Sequence, residues 1–162
     1  MHHQLFLVCP FSCMEHFIRE KYGEHVFFIS AMSAVFQIPE EEQLVSIRNF
    51  IKRERINSIH IVNDLSCTFI SNAITKQKKL EPQIECYIEN LFIQNYSIIS
   101  ELPTLEQQKV KLAELNIQYQ ALQLLKPHIL GTQIIQNNIQ IKGLMTKKIE
   151  NKYIDIEINT QK

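Results

Sequence analysis

Four side chains in this sequence are of the kind that does chemistry: Cys9, Cys13, Asp64 and Cys67. Residues 60 to 67 read HIVNDLSC, a β-branched run that stops at Asn63-Asp64 and reaches a thiol at Cys67. Residues 4 to 9 read QLFLVC, a second apolar run that ends in a thiol. Thiolates and carboxylates bind metals, and a thiol near a helix start is acidified. The 60–67 stretch therefore reads in three ways. It is a working metal site, an altered one, or an ordinary strand-to-helix turn in which Asp64 caps the helix. Cys9 and Cys13 also stand at i, i+4, the spacing of a thiol redox pair. No CxxC pair occurs, so zinc-ribbon and thioredoxin-like readings have no support. Cys86 falls in the apolar periodicity of a helix, as a buried small hydrophobe.

The elements that must position these groups are legible. QLFLVC is a short apolar strand, ended by Pro10, which cannot continue a ladder. SCMEHFIREKYG (12–23) has a helical pattern with Ser12 as N-cap, Glu15 at capping-box spacing and Gly23 as C-cap. HVFFIS (25–30) is a second strand. After a loop through Pro39, EEEQLVSIRNFIKRER (40–55) is an amphipathic helix whose acidic first turn and basic last turn suit the helix dipole. SIHIVN (58–63) is the third strand, and SCTFISNAITKQKK (66–79) a helix with a serine N-cap. Two further helices span about 82–100 and 104–126, the second closed by Pro127. The tail has a strand before an Asn137-Asn138 turn, a second strand, and a Glu150-Asn151 turn into a third.

Alternating strand and helix predicts an α/β fold, a mostly parallel central sheet flanked by helices with an antiparallel edge at the C-terminus. Open sheets of this kind hold ligands at the carboxyl ends of their strands, where Cys9, Ser30 and Asp64 all stand.

Composition excludes several classes of function. The 162 residues suit a single domain over 1–162, with a core large enough to need no disulfides. Seventeen basic and seventeen acidic side chains cancel, leaving no global field for nucleic acid or an anionic membrane. The basic clusters KQKK (76–79) and Lys147-Lys148 lack interleaved aromatics and read as solvated faces. No apolar run approaches the ~20 residues of a membrane span. The start, MHHQLFLVCPFSC, has no basic region and is too short for a signal peptide, so a cytoplasmic protein with a disordered His2-His3 start is expected. Three glycines, none in a phosphate-loop pattern, argue against nucleotide binding.

Four segments in order resemble the β-class carbonic anhydrases: LFLVC; YGEHVFFISAMSAVF; EEEQLVSIRNFIKRERINSIHIVNDLSC; and LNIQYQALQLLKPHI followed by IQIKGLMTKKIENKYIDI. Together they run from residue 4 to 158. Asn116 and Gln120 match a family Asn-x-x-x-Gln motif. The resemblance implies zinc held by the Cys of a C-x-D-x-R motif and by the His and Cys of H-x-x-C. It places Cys9 at the first cysteine and Cys67 at the last. Two thiolates and an imidazole suit tetrahedral zinc, which brings bound water to hydroxide near neutrality.

The departures carry the functional expectation. The first motif reads Cys9-Pro10-Phe11-Ser12-Cys13, with Phe11 for the Asp and Cys13 for the Arg. The second reads Asp64-Leu65-Ser66-Cys67, with Asp64 for the His. Cys9, Asp64 and Cys67 still make a candidate metal set, and Cys13 could add a thiolate in a closed site; zinc or no cofactor is expected. Phe11 has no acceptor to orient a zinc-bound water, and Cys13 cannot replace a guanidinium. No residue is assigned a catalytic role: His60 reads as a satisfied core histidine, and His16 lies on the first helix. The expected function is a carbonic-anhydrase-like protein without carbon dioxide hydration, acting as a binding or regulatory module. The alternative is a divergent zinc-dependent lyase or hydrolase acting on carbon dioxide or a related small electrophile.

Family members carry helices before the first strand that wrap a partner subunit, and this arm is expected to be missing. A homodimer is still expected, because AMSAVF (31–36) would otherwise expose Met32, Val35 and Phe36. The alternative is that the helices between 82 and 126 cover that loop.

Overall fold

Short runs of β-branched and aromatic residues build one five-stranded sheet in the order β2-β1-β3-β4-β5. Its strands are β1 (His3–Val8), β2 (Val26–Ser30), β3 (Ile56–Asp64), β4 (Gln140–Lys147) and β5 (Lys152–Ile156). The first four are mutually parallel, and β5 runs antiparallel to β4. The α/β class and the antiparallel C-terminal edge are as the sequence predicts. The computed structural model describes residues 3–37, 40–77 and 82–159; His2, Pro39 and Lys78-Lys79 lie outside them.

Strand alternation sorts the core. Leu5, Leu7, Ile59 and Ile61 face α2 (Glu41–Arg53) and α6 (Leu105–Leu124), while Phe6, Val8, Val62 and Leu144 face α1 (Glu15–Tyr22). A third cluster, at the carboxyl ends of the strands, packs Cys9 and Cys67 with α3 (Thr68–Thr75), α4 (Pro82–Gln94) and Ile99 of α5 (Tyr96–Ser100). The long α6 lies across β4 so closely that a Cβ on Gly143 would stand 2.6 Å from Ile117 Cγ2. Glycine lets helix and sheet meet there.

Several local expectations are corrected. The strand before Asn137-Asn138 is helix: Pro127–Gly131 forms a wide turn and α7 (Thr132–Gln136) follows. A short TQIIQ run is ambiguous by pattern, and here Ile134 is buried while Ile135 is exposed. Ser12 does not cap α1. Pro10 starts a 3-10 turn ending at Ser12, Cys13 enters the left-handed region (φ 47), and the helix begins only at Glu15. Ser66 does not cap α3, whose N-cap is Cys67. The helix over 82–100 breaks at Asn95, whose side chain donates to Leu91 O at 2.8 Å in competition with the backbone. Cys86 is exposed, and its neighbour Glu85 takes the buried position, accepting from Asn72 Nδ2 at 3.0 Å. His3 belongs to β1, with its Nδ1 2.7 Å from Glu54 O.

The 31–36 loop is covered by the chain's own helices: Val35 packs with Ile84, Ile88 and Leu112, and Phe36 with Leu44 and Ala121. Exposure of that loop is therefore no argument for a partner.

Candidate functional site

The strand ends bring Cys9 and Cys67 together. Cys9 follows β1 and Cys67 opens α3 from the central strand β3, so adjacent parallel strands deliver the two thiols to one place. Both are 3% exposed. The hydrogen bond from Cys67 holds the Cys9 thiol down at about 6, against burial that pushes it up; backbone bonds from Ser33 and Phe11 help. Cys67 is pushed well above its ordinary value by the bond it gives Cys9 and by burial. Ser33 Oγ lies 3.6 Å from Cys67 Sγ.

Ser33 is itself held in an uncommon conformation, with φ 53 and no exposure. A buried carboxamide network fixes it. Asn116 Nδ2 donates to Ser33 O at 2.8 Å and to Asn63 Oδ1 at 2.8 Å, and Asn63 Nδ2 donates to Ser33 O at 2.9 Å. One turn along α6, Gln120 Oε1 accepts from Phe36 N at 3.0 Å and its Nε2 donates to the Tyr87 hydroxyl at 2.8 Å. The pair expected at Asn116 and Gln120 is thus a clamp on the 31–36 loop.

Asp64 belongs to a different cluster. Its Oδ1 accepts from Ser66 N at 2.9 Å and from the Ser66 hydroxyl, closing a local turn after β3. Its Oδ2 accepts from Thr146 Oγ1 at 2.7 Å and Lys148 N at 3.1 Å, at the end of β4. The carboxylate is 2% exposed and has four donors. Lys148 extends this cluster to the loop after β1, donating from Nζ to Cys13 O at 2.9 Å and Ser12 O at 3.3 Å. Thr146 and Lys148 carry no motif signal in the sequence.

Cys13 is exposed, and its thiol donates to Pro10 O at 3.6 Å. The thiol in contact with Cys9 is therefore Cys67, and the sequence expectation of a Cys9–Cys13 pair is corrected. Phe11 is 64% exposed and lies edge-on to Phe69. Among the described residues no group of three or more His, Cys, Asp or Glu side chains is placed to hold a metal ion. The donors that meet are two thiols, where tetrahedral zinc takes four ligands.

The two histidines considered from sequence stand away from the thiols. His60 is buried mid-strand, stacked on Phe6 at 4.3 Å and 3.2 Å from Ser58 Oγ. Burial, with Lys142 adding to it, lowers its pKa to about 4. His16 is on the surface of α1, beside Glu20. A hollow of about 750 Å³ opens at the carboxyl end of β2, lined by Ser30, Met32, Phe36, Gln43, Gln83 and Ile84 among others, with neither Cys9 nor Cys67 in its wall.

Solved structures align with this arrangement of strands over almost the whole chain. The β-carbonic anhydrase CafA of Aspergillus fumigatus matches with a TM-score of 0.82 at 18% identity, over 98% of this chain and 77% of that one. The chain has the β-carbonic anhydrase fold. A tetrameric β-carbonic anhydrase from Sordaria macrospora aligns at TM-score 0.79 and 12% identity, over 98% of this chain and 82% of that one. The wild-type CafD β-carbonic anhydrase of A. fumigatus gives 0.79 at 16%, over 97% and 90%. No protein-family model and no curated protein matches the sequence. No helix in the described residues is long and apolar enough to cross a membrane.

Proposed function

We propose that this chain is a β-carbonic-anhydrase-fold protein with a degenerate zinc site, without carbon dioxide hydration activity, and that it serves as a binding or regulatory module. The observation that carries this reading is the state of Asp64. At the position where the resemblance expects a zinc-binding imidazole stands a carboxylate with four hydrogen-bond donors, two of them backbone N–H groups. Freeing it for a metal would break all four bonds and leave the buried Thr146 hydroxyl without its carboxylate acceptor, at about 1–3 kcal/mol. With Cys9 and Cys67 alone, the donor set is half of what tetrahedral zinc needs.

The aiming groups are also changed. Phe11 offers no acceptor to a nucleophile, and the backbone after it is fastened by Lys148. Self-association as a homodimer is part of the proposal. The strands β2 and β5 end the sheet, each with one edge unpaired among the described residues, and the Sordaria neighbours are tetrameric.

The test is stopped-flow carbon dioxide hydration with a pH indicator, on protein made in zinc-supplemented medium. The expected rate equals that of buffer. Hydration above buffer that disappears in Cys67→Ser would overturn the reading. It would instead favour a zinc-dependent enzyme acting on carbon dioxide or a related small electrophile such as a carbon–sulfur compound. One observation favours that second reading: Cys9 and Cys67 still meet, and the bond from Cys67 pulls the Cys9 thiol below its ordinary value, the direction that favours a thiolate ligand.

A further inference from the structure

We propose that the chain binds a small polyhydroxylated phosphate, of the sugar-phosphate class, in a groove at the amino-terminal ends of β3 and β4. This is the opposite end of the sheet from the thiols, and the proposal does not depend on whether metal is held there.

Two adjoining hollows, of about 460 and 510 Å³, share Lys52 and Asn137 in their walls. Each is of the size that small-molecule sites have. Neither wall contains an aspartate or glutamate, although the chain as a whole has as many acidic as basic residues. Three cations line the groove. Arg48 is engaged by Glu41 and by the carbonyls of His128 and Ile129. Lys52 and Arg55 make no ion pair among the described residues, and both line the same hollow as a set of amides.

Arg55 stands where α2 ends, at φ 51. That left-handed position is ordinarily glycine or asparagine, and an arginine there carries a conformational cost. The helix dipole does not explain it, because Lys52 and Arg53 already occupy the last turn of α2. The carboxyl end of α2 opposes an anion, so two cations rather than one are needed to hold it. Together they suit a phosphate dianion.

The rest of the lining is carboxamide: Asn57, Asn137, Asn138 and Gln140 around Arg55, and Gln133 beside Lys52. Carboxamides offer donors and acceptors side by side, which is what neighbouring hydroxyls require. Gln133 fixes the orientation of its own amide by donating from Nε2 to Arg48 O at 2.7 Å, and its buried Oε1 has no donor. The groove lacks aromatic residues, so it offers a nucleobase no stacking surface.

The test is calorimetric titration of the full chain with glucose 6-phosphate, glucose and inorganic phosphate at low ionic strength, alongside the Lys52→Gln/Arg55→Asn double variant. Asparagine keeps the left-handed backbone at residue 55 without strain. Glucose 6-phosphate is expected to bind at least about tenfold more tightly than either fragment, and the double variant to lose at least about tenfold. Three results would each overturn the proposal: no heat with glucose 6-phosphate at millimolar concentration, unchanged affinity in the folded double variant, or inorganic phosphate binding as well as the sugar phosphate. Should the double variant not fold, Lys52→Gln alone, at an exposed helix position, makes the same discrimination: weakened binding supports the site and unchanged binding overturns it.

Discussion

Thr146 Oγ1 donates to Asp64 Oδ2 at 2.7 Å, fastening the carboxyl end of β4 to that of β3. Through this bond a residue at a candidate metal position becomes a structural one. Asp64→Ala is expected to lower unfolding stability by about 1–3 kcal/mol, since it removes the acceptor of four bonds and leaves the buried Thr146 hydroxyl without its partner. Thr146→Val is expected to cost about 1–2 kcal/mol, and urea titrations in a double-mutant cycle should show strong coupling. Two additive effects would mean that the pair does not act together.

The Asn116 side chain bridges α6, β3 and the 31–36 loop. Asn116→Ala should destabilise by about 2–3 kcal/mol because Ser33 O and Asn63 Oδ1 lose a donor in the interior. It should also loosen the loop that covers Cys67. Iodoacetamide labelling followed by peptide mass spectrometry checks this. In the native protein the exposed Cys13 and Cys86 label first and Cys9 and Cys67 stay protected, whereas in the variant Cys67 labels faster.

Gly143→Ala tests the contact between sheet and helix. A methyl group there meets Ile117 and Ile156 within 3 Å, and overpacking of this kind costs about 1–3 kcal/mol. Thermal unfolding should show it as a lowered midpoint.

His60 predicts an acid-sensitive fold. Its pKa falls from 6.5 to about 4 on folding, chiefly through burial. The unfolded chain takes up the proton first, so this contribution to stability is whole above pH 6.5 and lost as the pH falls toward 4. The change amounts to about 3 kcal/mol. His60→Phe, which keeps a ring against Phe6, should flatten the stability profile across that window. An unchanged slope would remove His60 as the cause.

Much of the fold was legible because its signals are local and redundant. QLFLVC, HVFFIS and SIHIVN are apolar runs of strand length, and they form β1, β2 and β3. TQIIQ carried too few residues to separate strand from helix, and packing of Ile134 decided it. The candidate site was half legible. Cys9 and Cys67 sit at strand ends, which parallel pairing turns into neighbours. The fate of Asp64 was hidden, because its donors from Thr146 and Lys148 lie more than eighty residues away in sequence and no periodicity reports a long-range carboxylate contact. Cys86, expected to be buried, is exposed because the buried face of α4 falls one residue earlier, on Glu85.

Zinc content tests the central claim most directly. Protein produced in zinc-supplemented medium and purified without chelator would be assayed by elemental analysis, alongside Cys67→Ser. The account predicts zinc far below stoichiometric in the native chain, with no difference in the variant. Stoichiometric zinc in the native chain that is lost in Cys67→Ser would contradict it.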